Sequence, residues 1–495
     1  MVASLKGLST VRTVVIGCKT QVFAIVLGIG PLALPVQAGI LFTNLVVFNG
    51  TNGANPVGSL MQGTDGNFYG TTSAGGASGL GSVFQMPPNG TLNSLVSFSG
   101  ANGATPWAGL VQGSDGLLYG TTSAGGTNDV TVGGDGTVFK MTTNGLLTTL
   151  LSFSSVNGAN PLAPLAQGTD GAFYGVTAGG GTNDVNVGGD GTIFRITSDG
   201  TLELLLMFNG SNGLGPASGL TQGPDGAFYG TTSAGGPPAS VHNLHGARYG
   251  AVFRITTDGG FTNLAAFAGT NGTYPFAGLA LGLDGNFYGT TSAGGPSFNG
   301  LPLSGDGTVF QITTNGTLTT LLSFASTNGT QPMAGLVLGP DGNFYGTTQF
   351  GGAGDLGTVF EVTTNGTLEV LFSFNGTNGA YPAAGLVLGA DGSFYGTTEY
   401  GGAGFNGGFS GSGTIFRLSV PFPPMMQLAT QANGSITLNW STAAGQAYQV
   451  QYTTNWQSTN WVNLGPPITA VRSTATASDT VSSLPQRFYR AVLKP

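Results

Sequence analysis

Four aspartates in two nearly identical glycine-rich segments are the residues best suited to hold an ion. Asn128-Asp129-Val130-Thr131-Val132-Gly133-Gly134-Asp135-Gly136 recurs as Asn183-Asp184-Val185-Asn186-Val187-Gly188-Gly189-Asp190-Gly191. Carboxylates, amide oxygens and backbone carbonyls on a flexible loop are the ligands that a hard cation such as Ca²⁺ takes. Asp129, Asp135, Asp184 and Asp190 are therefore candidate calcium ligands. Two carboxylates per segment is few, and turn chemistry with a side-chain cap accounts for the same residues. His242 and His245 are the only histidines, three apart and without a nearby acid. Their scarcity argues against histidine-based acid–base catalysis. There is no Gly-x-Ser-x-Gly elbow and no phosphate loop. Glu203, Glu361, Glu369 and Glu399 share no motif position, so no glycosidase pair of carboxylates can be argued.

A second set of residues suits recognition better than catalysis. Seven prolines are preceded by a residue that changes from unit to unit: Asn55, Thr105, Asn160, Gly215, Tyr274, Gln331 and Tyr381. The residues that follow them are Val57, Trp107, Leu162, Ala217, Phe276, Met333 and Ala383. Aromatic rings with amides around a funnel suit stacking on a sugar ring and hydrogen bonding to its hydroxyls. Asn55, Trp107, Asn160, Tyr274, Phe276, Gln331 and Tyr381 are thus candidate ligand-binding residues. Packing between repeats explains the apolar members of the set equally well.

The elements that must carry these residues are repeated seven times. Asp-Gly-x-Phe/Leu-Tyr-Gly has as its tyrosines Tyr69, Tyr119, Tyr174, Tyr229, Tyr288, Tyr345 and Tyr395. Gly-Thr/Ser/Ala-Val/Ile-Phe ends on Phe84, Phe139, Phe194, Phe253, Phe310, Phe360 and Phe416. An apolar run before an Asn-Gly-rich loop ends on Phe48, Phe98, Phe153, Phe208, Phe267, Phe324 and Phe374. Each unit reads as four short strands, with Asp-Gly and Asn-Gly at the tight turns. Those turns also account for the seven Asp-Gly aspartates, from Asp65 to Asp391, without a ring of carboxylates. Four antiparallel strands repeated seven times predict a seven-bladed β-propeller. A lone outer strand near 41–48 precedes the first unit, and the last unit lacks one, so the N-terminal strand is expected to close the ring.

Spacing locates the variable surface. The 21 residues from the outer-strand Phe to the next Tyr are constant, whereas Tyr to third-strand Phe runs 15, 20, 20, 24, 22, 15 and 21. All length variation falls in the loop between second and third strands, called the long loop below. It shares a face with the linking loop that carries the proline. Variable loops on a rigid frame are where binding usually sits.

Composition bounds the rest. The chain has 495 residues, 90 of them Gly and 25 Pro, with only 6% charged. That excludes a helical protein and, with 10% aromatics, a disordered one. Residues 39–420 hold 5 basic and 19 acidic side chains. Such a region repels nucleic acid, which is not expected as a partner. Residues 1–38 read as a signal peptide: a basic start, an apolar stretch at 21–36 and a small-residue cleavage site ending at Ala38. The expectation is a secreted or cell-surface protein with no membrane span after cleavage. Cys18 is the only cysteine, so the exported part has no disulfide. Pro421, Pro423 and Pro424 mark a boundary, and 421–495 reads as a small fibronectin type III- or immunoglobulin-like β-sandwich holding Trp440, Trp456 and Trp461. The expected domains are 1–38, 39–420 and 421–495.

The strings DGNFYGTT, SAGG, GTVF, LLSF and NGTNGA resemble the Gloeobacter–Verrucomicrobia tandem repeat, or GloVer repeat, over about 41–420. The resemblance implies an exported bacterial surface protein and supplies no catalytic residues. Members carry alternative C-terminal anchors, whereas this sequence ends in Phe488-Tyr489-Arg490-Ala491-Val492-Leu493-Lys494-Pro495, without an apolar helix and basic tail.

The expected function is binding of an extracellular glycan or protein on the long-loop face. The alternatives are a propeller enzyme (a calcium-dependent lactonase-like hydrolase or a polysaccharide lyase) and a structural surface protein. An enzyme requires carboxylates converging at the axis around a metal. A binding module requires an aromatic and amide funnel.

Overall fold

A computed structural model describes residues 13–18, 21–26, 39–127, 134–181, 189–237, 249–301, 303–421, 426–432, 435–442, 445–454, 460–472, 474–480 and 488–494. Most of the segment read as an export signal lies outside these residues. Its described backbone is a hairpin of Thr13–Cys18 with Gln21–Val26. No described helix is long and apolar enough to cross a membrane. The chain forms two compact units, one spanning 42–387 and 395–417, the other gathering 1–41, 388–394 and 418–495.

The fold is all-β, and its repeated four-stranded antiparallel sheets are those of a β-propeller. Among the described residues there are seven such sheets, six of them consecutive meanders such as Ala166–Gln167, Phe173–Thr177, Thr192–Ile196 and Leu202–Met207. The seventh takes its outer strand, Leu41–Val47, from the opposite end of the chain. The Phe48 amide continues that pairing with a bond to the Gly413 carbonyl at 3.0 Å.

The repeated motifs have direct physical causes. The second strand is buried at all five positions in every repeat, as in Phe173–Thr177. Its central glycine is required by space rather than by φ. A Cβ on Gly175 would stand 2.5 Å from Phe194 Cζ and 2.7 Å from Leu165 Cδ2. The preceding Tyr stacks on the next repeat's Phe: Tyr119 on Phe173 at 3.9 Å, Tyr174 on Phe228 at 4.3 Å and Tyr229 on Phe287 at 4.2 Å. Tyr395 on Phe68, at 4.1 Å, repeats this contact between the last repeat and the first.

The motif aspartates serve the turn. The Tyr174 hydroxyl donates to Asp170 Oδ2 at 2.9 Å, and the Ala172 amide donates to Asp170 Oδ1 at 3.2 Å. The residue facing this Tyr on the third strand completes the group. Arg195 donates to Asp170 at 2.9 Å, and Arg254 to Asp225 at 2.8 Å. Gln85 donates to the Tyr69 hydroxyl at 2.8 Å. Burial opposes ionisation of Asp170, but the bonds from Arg195 and Tyr174 outweigh it and hold its carboxyl below the usual range.

In the sixth repeat the facing residue is Glu361, opposite Tyr345. Burial pushes the Glu361 carboxyl up, and the charge of Asp341 adds to the effect. A carboxyl raised in the folded state stabilises the fold below its unfolded value near 4.5, and that stability is lost as pH rises through the folded value. Glu361→Gln is therefore expected to raise stability at neutral pH, with the gain disappearing below about pH 4.5. The side chain is only half-buried, so screening limits the gain to roughly 0.5–1 kcal/mol. Denaturant unfolding of both proteins at pH 4 and pH 7.5 checks this.

In the C-terminal part, Met426–Ala432, Ser435–Ser441 and Thr474–Thr480 form one antiparallel sheet. Ala447–Thr453 pairs with Phe488–Lys494 and two short strands in another. Leu438 and Trp440 of the first sheet share a buried core with Tyr448, Val450 and Tyr489 of the second. Trp440 is thus a core residue. Trp461 is covered by the Arg490 guanidinium at 4.3 Å, and Trp456 lies outside the described residues.

Candidate functional site

The linking loop brings each variable pair of residues to the start of a first strand. Its geometry is the same in all seven repeats. The residue before proline sits in the left-handed region: Asn55 at φ 55°, Thr105 at 52°, Asn160 at 54°, Gly215 at 58°, Tyr274 at 54°, Gln331 at 52° and Tyr381 at 54°. Its amide donates to a carbonyl at the end of the previous repeat's long loop. Examples are Asn160 to Asp135 at 3.0 Å, Gly215 to Asp190 at 3.0 Å and Tyr274 to Tyr249 at 3.2 Å. The bond from Asn55 to Ser412, at 3.0 Å, joins the first repeat to the last in the same way.

Glycine adopts this conformation without strain, yet only the fourth repeat uses it. A side chain in the left-handed region costs roughly 1–2 kcal/mol, most severely for a β-branched residue such as Thr105. The side chains are thus kept against the local preference, which is how strain is distributed at functional positions. Thr105→Gly is expected to stabilise the chain by roughly 0.5–1 kcal/mol, the relieved strain exceeding the added chain entropy. Chemical unfolding of the variant beside the parent measures it.

The residues after proline converge. Val57, Trp107, Leu162, Ala217, Phe276, Met333 and Ala383 line one cavity of about 490 Å³, to which every repeat contributes. Trp107 is 43% exposed there. Phe276 is half-buried, and the Tyr274 ring lies 6.1 Å from it at 17°. Next to this ring the wall includes small residues, beside Leu220, Leu279, Leu336 and Leu386. Ser59, Gly109, Pro164, Gly219, Gly278, Gly335 and Gly385 occupy equivalent places. A Cβ on Gly335 would stand 3.0 Å from the Gly278 carbonyl oxygen, so neighbouring backbones meet there. The Ser59 hydroxyl accepts the Gly385 amide at 3.0 Å, across the first and last repeats.

The structure thus separates the two sets that the sequence puts side by side. Trp107 and Phe276 line the cavity, whereas Asn55, Asn160, Tyr274, Gln331 and Tyr381 do not. Asn55 turns its amide to the Glu399 carbonyl at 3.1 Å. Asn160 is exposed, Tyr274 and Gln331 are half-buried, and Tyr381 is buried among rings. Of each pair, only the residue after the proline reaches the lining. The small residues were missed in the sequence reading, although a Gly, Ser or Pro two places after each lining residue was the available signal.

The described residues of the cavity lining include no acid, base or histidine. Of the candidate calcium ligands, Asp129 and Asp184 lie outside the described residues, as do His242 and His245. Asp135 and Asp190 are half-buried where the long loops rejoin the frame, and their carbonyls cap the linking loops. Among the described residues, no group of three or more His, Cys, Asp or Glu side chains gathers as a metal site.

Comparison with known proteins bears on the repeat. No curated protein matches the chain. Among solved structures, a puromycin hydrolase aligns with 13% identity over 81% of this chain and 62% of its own, at a TM-score of 0.45. An ulvan lyase of polysaccharide lyase family PL25 aligns with 10% identity over 65% and 86%, at 0.44. A gluconolactonase from Xanthomonas campestris aligns with 16% identity over 58% and 79%, at 0.35. At these scores none of them carries an argument about activity. The profile of the Gloeobacter/Verrucomicrobia repeat matches residues 35–243, 128–303 and 245–453, and the chain belongs to that repeat family.

Proposed function

We propose that the protein is an exported binding module: a seven-bladed β-propeller, closed by its N-terminal strand, whose axial cavity on the long-loop face takes an extracellular glycan. A fibronectin type III-like sandwich follows it as a spacer or docking module. One observation carries the reading. Seven equivalent positions in a nearly constant frame converge on one cavity and carry six different kinds of side chain, from Ala to Trp, with only Ala occurring twice. A structural ring would favour one best-packing residue; a recognition surface needs diversity.

The chemistry suits a sugar. Trp107 and Phe276 offer faces for the C–H side of a pyranose ring. The polar groups of the same lining are the glycine backbones and the hydroxyls of Ser59, which accepts the Gly385 amide, and Thr221, which donates to the Leu279 carbonyl. Among the described lining residues there is no side chain suited to general acid or base work, which favours binding over a hydrolase or lyase.

A broad glycan array probed with the purified chain, with and without Ca²⁺, tests this. Selective retention that is independent of Ca²⁺ is expected. A blank array overturns the glycan reading and leaves a protein partner or a structural role. Cleavage of a retained glycan would establish an enzyme instead.

A further inference from the structure

The sixth and seventh repeats depart from the other five at one backbone site. A backbone pair between linking loop and long loop joins Ala54 to Ala74, Ala104 to Ala124, Ala159 to Gly179, Leu214 to Ala234 and Thr273 to Ala293. In the last two repeats it joins Thr330 to Phe350 and Ala380 to Tyr400. Five repeats fold with Ala or Gly as the second partner, so the frame does not require a ring there. The preceding residue changes as well. Ser73, Ser123, Ser233 and Ser292 each donate a hydroxyl to the carbonyl of the left-handed residue, at 2.8–3.1 Å. Gln349 and Glu399 stand in their place.

The two rings join two others. Tyr381, itself left-handed, has its centroid 5.1 Å from Phe350, 4.9 Å from Phe409 and 6.1 Å from Tyr400. Phe409, from the seventh long loop, lies 5.3 Å from Tyr400 and remains 64% exposed. The rings are inclined to one another by 42° to 83°. Two carboxyls border them. Burial pushes Glu399 up, against a hydrogen bond with Tyr400. Burial also raises the Tyr381 hydroxyl, and the nearby charge of Asp355 adds to it. Lys140, Arg195 and Arg254 are engaged elsewhere, with the Ser198 carbonyl, Asp170 and Asp225.

We propose that Phe350, Tyr381, Tyr400 and Phe409, with Glu399 and Asp355 beside them, form a second binding site, for the alkylammonium group of an organic cation. Ring faces attract a cation through their quadrupoles, and aromatic cages bind quaternary ammonium groups in this way. A sugar platform needs one flat open face. Rings steeply inclined to one another suit a compact, nearly spherical charge. The acidic surface draws cations towards it. The site does not depend on the axial cavity being a glycan site.

The test is calorimetric titration of the purified chain with choline and with 3,3-dimethylbutanol, its neutral isostere. Saturable choline binding is expected, about tenfold or more tighter than the isostere. Tyr400→Ala introduces the residue that four sibling repeats carry and should weaken choline about tenfold while leaving the melting temperature close to that of the parent. Phe350→Ala is a second variant of the same kind, should the first unfold. Equal affinity for the two compounds, no saturable choline binding, or full choline binding by a folded variant overturns the proposal.

Discussion

Tyr395→Ala is expected to destabilise the protein by about 3–5 kcal/mol, as much as Tyr174→Ala in the middle of the chain. Both tyrosines are buried, and both stack on the second-strand Phe of the neighbouring repeat: Tyr174 on Phe228 at 4.3 Å, Tyr395 on Phe68 at 4.1 Å. Truncation removes the ring's burial and leaves a cavity that rigid neighbours cannot fill. The comparison is informative because the neighbour of Tyr395 comes from the start of the chain. In a closed ring the last-to-first seam is equivalent to the others, and the two losses match. Supporting contacts cross the same seam: the Thr397 hydroxyl to the Pro56 carbonyl at 3.0 Å and the Asn55 amide to Ser412 at 3.0 Å. Tyr395→Phe keeps the stack and should lose no more than about 1 kcal/mol. Denaturant unfolding of the three variants decides it. A loss below 1 kcal/mol for Tyr395→Ala, with a full loss for Tyr174→Ala, would show that the seam is open in solution.

The second large effect comes from adding one carbon. Gly175→Ala places a methyl 2.5 Å from Phe194 Cζ and 2.7 Å from Leu165 Cδ2. Phe194 is fully buried and its ring packs edge-on against Phe153 at 5.3 Å. Neither neighbour has free space to move into. Overpacking of this kind costs about 1–3 kcal/mol, although alanine favours a strand more than glycine does on chain entropy alone. Gly171→Ala is the control. It lies four residues away at φ 81° with open space around it, so its cost is conformational only. Thermal unfolding should show the larger loss for Gly175→Ala, and a loss no greater than the control's would contradict the close approach.

These cases show what the sequence carries and what it hides. Turn dipeptides, constant spacing and the displaced outer strand are local or countable, and they suffice to lay out the repeated four-stranded sheets. The pairing of Leu41–Val47 with the last repeat follows from counting strands of each type. The glycine of Phe-Tyr-Gly is different. Its role depends on where a third-strand ring lies, which no local rule gives. The same limit applies at the cavity. The sequence identifies the variable pairs around each proline, but not that the backbone turns left-handed at the first member and that only the second reaches the cavity. Trp107 and Phe276 therefore converge with Leu162 and Met333, while Asn160 and Gln331 face elsewhere. The aromatic cluster of Phe350, Tyr381, Tyr400 and Phe409 is assembled from one linking loop and two long loops, so no single motif announces it.

The account rests on the axial cavity being where the ligand sits. The most direct test is to compare the parent chain with Trp107→Ala and Phe276→Ala on one glycan array. Both residues are on the surface of the cavity, so the variants should keep the melting temperature of the parent within a few degrees. The prediction is selective glycan binding by the parent, reduced about tenfold or more in each variant through loss of a stacking face. Undiminished binding by both folded variants would place the ligand elsewhere and contradict the account.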